Sequence, residues 1–194
     1  MFGAKAQIAA LEKGVAFELI MVPFDRNDAY EPKHPEVVRI NPKRQVPVLI
    51  DGKVELFDST QIFEYLEDLV PAPPLWPADV PARARARQLE HMSDEVFFPH
   101  VIRLMGLQHD MQGAAAVSAC QACARYYEDM DRVLAQADFL AGPYSFADIA
   151  FYMAYVFADR KGAVLTDATP RRACWHGASA LARVRPYAKW SALC

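Results

Sequence analysis

Apolar residues recur along this chain with two periods, and the change from one to the other divides it. Ala4, Ile8 and Leu11 fall at helical spacing, so a helix is expected over Phe2–Lys13, with Gly14 as the left-handed residue that ends it. The run Phe17–Val22 is short, apolar and closed by Pro23, the pattern of a mostly buried strand. Residues 24–36 are polar and read as a loop, followed by a short helical turn around Glu36–Arg39 that Pro42 ends. Two antiparallel strands are expected at Val46–Ile50 and Val54–Phe57, joined through Asp51-Gly52. Ile62, Phe63, Leu66 and Leu69 then lie on one face of a helix over Ser59–Leu69.

Beyond Pro71-Ala72-Pro73-Pro74-Leu75-Trp76-Pro77, a stiff and extended segment, no strand pattern appears. The boundaries expected are a first domain over 1–70, a linker over 71–79 and an all-helical domain over 80–194. Pro81 suits the first turn of a helix that continues through Leu89, Met92, Val96 and Val101, with Pro99 kinking it. A second long helix spans about 114–135. A third opens at Ser145, with Asp148 reaching back to the cap and Tyr144 able to staple Ile149. Two shorter helices are expected to finish the chain.

Composition narrows the function classes. Of the 194 residues 53% are hydrophobic and 23% charged, without the uncharged run of ~20 residues that a membrane span needs. No secretory signal is visible at the N-terminus, so a cytoplasmic protein is expected. A net charge of −3 gives no basic face for nucleic acid. Cys120, Cys123, Cys174 and Cys194 are too few and too uneven for a disulfide framework, and the Cys120–Cys123 pair sits inside a predicted helix without a second pair at zinc spacing. No metal site is expected.

Chemistry concentrates between Asn41 and Leu66. Pro47 stands at the head of a strand, where a cis Val46–Pro47 bond would leave the Val46 N–H and C=O free to pair with a short peptide as an added strand does. Asp58-Ser59 opens a helix. Such a pair is most simply a cap, yet the same helix terminus favours a bound carboxylate, with the Ser59 hydroxyl as donor and Asp58 accepting from an ammonium. Together these features suit a γ-glutamyl peptide.

The residues Asn41–Leu66 resemble the glutathione transferase superfamily, and Gly142–Ala150 resemble the capping motif of its helical domain. The resemblance implies an α/β plus all-α fold: an N-terminal thioredoxin-like domain followed by a C-terminal helical bundle domain. By it, Val46 and Pro47 meet the cysteinyl backbone of glutathione, Asp58 and Ser59 hold its γ-glutamyl group, and Gln45 and Arg39 reach for its glycyl carboxylate. Family members often carry Glu or Gln where this chain has Asp58, which shortens the reach but keeps the acceptor. The implied activity is conjugation of glutathione, as co-substrate, to a small hydrophobic electrophile in detoxification by a cytoplasmic homodimer. Phe2, Phe98 and Tyr126 are candidate walls for the electrophile, with core packing as their simpler role. The catalytic residue is not assigned: alignment of Ile8–Gly14 with the family's first helix places it, and a central strand, before Met1. Either the recorded start is late or the protein is a non-catalytic relative that binds ligands or partners. A glutathione-dependent reductase or isomerase is a third option.

Overall fold

The computed structural model describes residues 1–22 and 33–164. The chain divides between Pro74 and Leu75 into two compact units.

In the first unit, helix α1 (Phe2–Glu12) is followed by α2 (Pro35–Ile40), strands β1 (Val48–Asp51) and β2 (Val54–Phe57), and α3 (Ser59–Leu69). The alanines explain how α1 is used. Ala4, Ala6, Ala9 and Ala10 are buried around most of the helix together with Ile8, and small side chains let α3 come close. Ala6 and Ala10 pack with Ile62 and Leu66, and Val15, Leu49, Leu56 and Tyr65 close the cluster. Gly14 takes φ +66°, the left-handed geometry expected at the helix end. Lys13 is buried at that end: its ammonium pairs with Glu67 at 2.6 Å and donates to the Pro73 carbonyl at 2.8 Å. Lys13 and Glu67 both lie near the C-termini of their helices. The two helices therefore run parallel, with both N-termini at the opposite end of the pair.

β1 and β2 form an antiparallel ladder with Val48 opposite Phe57 and Asp51 opposite Val54. The turn residue Gly52 has φ +58°, as the Asp-Gly pattern requires. The first strand starts two residues later than its sequence pattern indicates, because Pro47 carries no N–H for the ladder.

Three expectations are corrected. Phe17–Val22 forms no ladder with any described residue, and Phe17, Ile20 and Met21 are exposed. Apolar content alone does not make a strand, which exists only through a partner's hydrogen bonds. Leu11 and Leu69, placed by periodicity on buried faces, are exposed at 38% and 49%. Each lies in the last turn of its helix, and neither belongs to the cluster that α1 and α3 share.

The second unit is helical throughout its described part: α4 (Val80–Met92), a π turn (Ser93–Phe97), α5 (Phe98–Gly106), α6 (Ala114–Leu134) and α7 (Phe146–Arg160). Pro81 lies in the first turn of α4, whose start is capped by the Asp79 carboxylate on the Ala82 N–H at 2.9 Å. The expected kink at Pro99 takes the form of the π turn. Proline has no N–H to donate and its ring crowds the carbonyl four residues earlier, so the helix widens by one residue, with the Phe98 N–H bonding to the Ser93 carbonyl. Phe97, inside the turn, is fully buried between Tyr126, Tyr127 and Phe151.

Helix α7 is held at its start by Asp148. One carboxylate oxygen accepts from the Ser145 N–H (2.9 Å) and hydroxyl (3.1 Å), the other from the Leu140 N–H (2.9 Å). The reach of Asp148 back to Ser145 is the one its sequence spacing predicts. Tyr144 meets Phe139 edge-on at 5.5 Å. The two terminal helices expected from the sequence lie outside the described residues.

Candidate functional site

The approach to β1 is shaped by a buried asparagine that sequence reasoning did not single out. The Asn41 side chain donates to the Gln45 carbonyl at 2.7 Å and accepts from the Lys43 N–H at 2.9 Å, while its own carbonyl accepts from the Arg44 N–H at 2.7 Å. Asn41 thus closes a tight turn in which Arg44 adopts φ +55°. The available signal was Asn-Pro before a strand, a turn-initiating pair. The turn delivers Gln45-Val46-Pro47 to the ladder's open end. Val46–Pro47 is cis, as expected, and among the described residues neither the Val46 N–H nor its carbonyl has a hydrogen-bond partner.

The ladder itself brings the two halves of the candidate site together. Counted outward from Val48 opposite Phe57, Val46 lies two positions past the ladder on one strand and Ser59 two positions past it on the other. Both lie at the end of the hairpin away from the Asp51-Gly52 turn.

Asp58 is the cap of α3. Its Oδ1 accepts from the Thr60 N–H at 2.9 Å and the Gln61 N–H at 3.3 Å. Two of the helix-end N–H groups assigned to a ligand carboxylate are therefore already taken. The backbone of Asp58 stands at φ 76°, ψ 133°, a region that a residue with a Cβ rarely occupies and that costs of order 1–3 kcal/mol. Such strain persists only where the surroundings enforce it. Ser59, the first helical residue, is 1% exposed, and its hydroxyl has no hydrogen-bond partner among the described residues. A buried, unpaired hydroxyl costs about 1–3 kcal/mol and calls for an explanation. No acidic residue lies in the first turn of α3. The Asp58 carboxylate is thus the one negative charge at this helix end, and the Ser59 hydroxyl is the side-chain donor it leaves without a partner.

Arg39 is held elsewhere. Its guanidinium donates to Glu55 on β2 at 2.6 and 2.7 Å and to Glu36 on α2 at 2.5 and 3.0 Å, and the bonds to Glu55 and then Glu36 raise its pKa above the usual arginine value. The same contact lowers the Glu55 carboxyl below its ordinary range. In this arrangement two carboxylates take four of the five Arg39 N–H donors.

Of the candidate pocket walls, Phe98 and Tyr126 are core side chains of the second unit. Phe98 meets Phe157 edge-on at 6.0 Å, and Tyr126 stacks on Phe97 at 4.7 Å. The Tyr126 hydroxyl lies 3.2 Å from that of Ser93, and burial pushes its pKa up to about 12. Phe2 is half-buried on α1, its ring 5.9 Å from the Lys5 ammonium. Met1 caps α1 without a side-chain hydrogen bond, and the first turn of that helix carries no acid.

Residues 1–69 match the family model for the glutathione S-transferase N-terminal domain. A stringent starvation protein A homologue of Coxiella burnetii is 33% identical over 98 residues, which are 50% of this chain and 44% of that protein. Glutathione S-transferase Z1 of Arabidopsis thaliana is 38% identical over 80 residues, 41% of this chain and 35% of that one. The crystal structure of a theta class glutathione S-transferase from Xanthomonas axonopodis pv. citri, with glutathione bound, superposes with a TM-score of 0.75 at 25% identity, covering 97% of this chain and 90% of the other. The chain belongs to the glutathione transferase superfamily. Its fold is that superfamily's thioredoxin-like unit followed by a helical one. The matches span less than half the length of these two curated relatives. No helix among the described residues is long and apolar enough to cross a membrane.

Proposed function

We propose that this protein binds glutathione at the open end of its hairpin and conjugates the thiolate to a small hydrophobic electrophile. The observation that carries the reading is the buried, unpaired Ser59 hydroxyl beside the strained Asp58 cap. In this reading the hydroxyl rotates to donate to the α-carboxylate of the γ-glutamyl group. Asp58 keeps Oδ1 on the helix and turns Oδ2, which accepts no hydrogen bond from any described residue, toward the ammonium. Val46 pairs through its N–H and C=O with the cysteinyl backbone, adding the peptide to the hairpin as a strand edge would. Pro47 holds the turn into β1, and Gln45 and Arg39 face the glycyl end, Arg39 by exchange with Glu36 or Glu55.

The parallel packing of α1 and α3 puts both helix N-termini at one end of the pair, and two positive dipole ends there favour an anion. This supports the thiolate, which is the nucleophile where the thiol is not. The thiol proton leaves to solvent, the sulfur forms the new bond, and the electrophile's leaving group departs with the bonding pair. Support for the reading also comes from the relatives, among them transferases and a structure with glutathione bound. The homodimer and the cytoplasmic location belong to the same proposal, and light scattering at one chain's mass, 21.7 kDa, would remove the dimer.

Calorimetric titration with glutathione, followed by a conjugation assay against an activated aryl halide, tests the proposal. Binding with turnover is expected. Binding without turnover would leave a ligand-binding relative, and no binding at millimolar glutathione would overturn both readings.

A further inference from the structure

Two sulfur-bearing side chains of the second unit, Cys120 and Met111, approach Gly162 just beyond α7, and Cys123 lies one turn from Cys120. Cys120 and Cys123 are free thiols one turn apart on α6. Cys123 is fully buried and Cys120 half-buried, its sulfur 3.9 Å from the Gly162 carbonyl. Met111 reaches the same residue from the segment before α6. A Cβ built on Gly162 would stand 2.8 Å from the Met111 methyl, and φ +90° there already excludes most other residues. Gln108 fixes the arrangement: its side-chain amide donates to the Lys161 carbonyl at 3.2 Å, to the Leu104 carbonyl at 2.7 Å and to the Met111 sulfur at 3.5 Å. Tyr127, one turn beyond Cys123, donates to the Ala163 carbonyl at 3.0 Å, so this face of α6 is docked on residues 162–163.

We infer that Cys120 and Cys123, with Met111 as a third ligand, form a binding site for a soft d10 cation of the Cu(I) type. Two thiols and a thioether are the donor set that selects Cu(I) over harder ions. A cation held about 2.3 Å from each of three sulfurs in a plane, the length of a metal–thiolate bond, needs them roughly 4.0 Å apart. Residues three apart on a helix have Cβ atoms ~5–6 Å apart, so the two thiols close to that separation by turning toward each other, without unwinding α6. A helical Cys pair lacks the four ligands of a structural zinc site but suits the low coordination numbers of d10 monovalent ions. The part-exposed Cys120 and Met111 supply the way in. Binding exchanges two S–H protons for the cation, both protons leaving to solvent and no electron moving.

The test is anaerobic titration of the reduced full-length chain, free of glutathione, with Cu(I) held by the coloured chelator bicinchoninate. One equivalent should pass to the protein. Cys120→Ser, at a half-buried position, should weaken binding by more than ~100-fold, beyond the loss that outer-shell partners carry. Met111→Leu, which keeps the volume, should weaken it by about tenfold and lose one sulfur from the copper X-ray absorption shell. Cys174→Ser/Cys194→Ser should bind as the native chain does. The site is overturned if the native chain takes no Cu(I) from the chelator, or if binding survives Cys120→Ser with an unaltered melt and disappears in the Cys174/Cys194 variant.

Discussion

Replacing Ser59 by alanine should move stability and affinity in opposite directions. The hydroxyl is buried without a partner, so the ligand-free fold bears a desolvation cost of about 1–3 kcal/mol that alanine removes. Asp58, not Ser59, caps α3, so the helix end loses no bond. Taking about 1 kcal/mol as the net gain, the ligand-free melting temperature should rise by about 2–4 °C for a chain of this size. With glutathione the variant loses a hydrogen bond to a charged group, about 1.5–3 kcal/mol, which is ~10–150-fold in Kd. At glutathione equal to 100 times the native Kd, the native protein gains about 2.7 kcal/mol, whereas a 30-fold weaker variant gains about 0.8 kcal/mol. Thermal melts with and without ligand, paired with calorimetric Kd values, read both quantities on one sample. A variant that melts below the native chain and binds glutathione equally well would show that the hydroxyl serves the fold, and the reasoning fails.

Lys13→Ala should destabilise by about 3–5 kcal/mol, because it leaves Glu67 partly buried without its cation, while Lys13→Met/Glu67→Met should recover most of that in urea melts. If the single and double variants are equally unstable, the pair is not what fixes α1 against α3. Burial pushes the Asp148 carboxyl up to about 6, against its hydrogen bonds from Leu140 and Ser145. With the native value above the unfolded one, its contribution is whole below about pH 3.8 and is lost as pH rises through about 6. The stability difference between the native chain and Asp148→Asn should therefore be larger at pH 4 than at pH 7, by about 2 kcal/mol. A difference independent of pH would show that the carboxylate's hydrogen bonds cancel its desolvation.

What the sequence made legible is what is local. The Asp-Gly hairpin, the reach of Asp148 back to Ser145 and the glycine ending α1 depend on residues within a few positions of one another, and each stands where its pattern indicates. What escaped depends on partners far along the chain. Phe17–Val22 has the composition of a strand, but no strand among the described residues pairs with it. Leu11 and Leu69 keep the helical period without joining the shared cluster, and periodicity does not report which turns a neighbour covers. In the site itself the residue types were readable and their states were not. That Asp58 spends one oxygen on the helix, that the Ser59 hydroxyl is unpaired, and that Glu36 and Glu55 engage Arg39 are all facts of geometry.

The register of β1 on β2 carries a consequence for engineering and for descent alike. Because the positions of Val46 and Ser59 are set by counting pairs outward from Asp51-Gly52, the turn acts as the zero mark of a ruler whose far end would measure the proposed ligand. A one-residue insertion at Gly52 touches nothing near the proposed peptide. It would nonetheless slide one jaw past the other by about 3.4 Å and turn alternate side chains of one strand to the wrong face. Loop length is usually the most forgiving property of a surface turn. If glutathione binds as proposed, turn length here sets specificity, and changes that vary the bound peptide's length should be sought at the hairpin's tip before they are sought in the pocket.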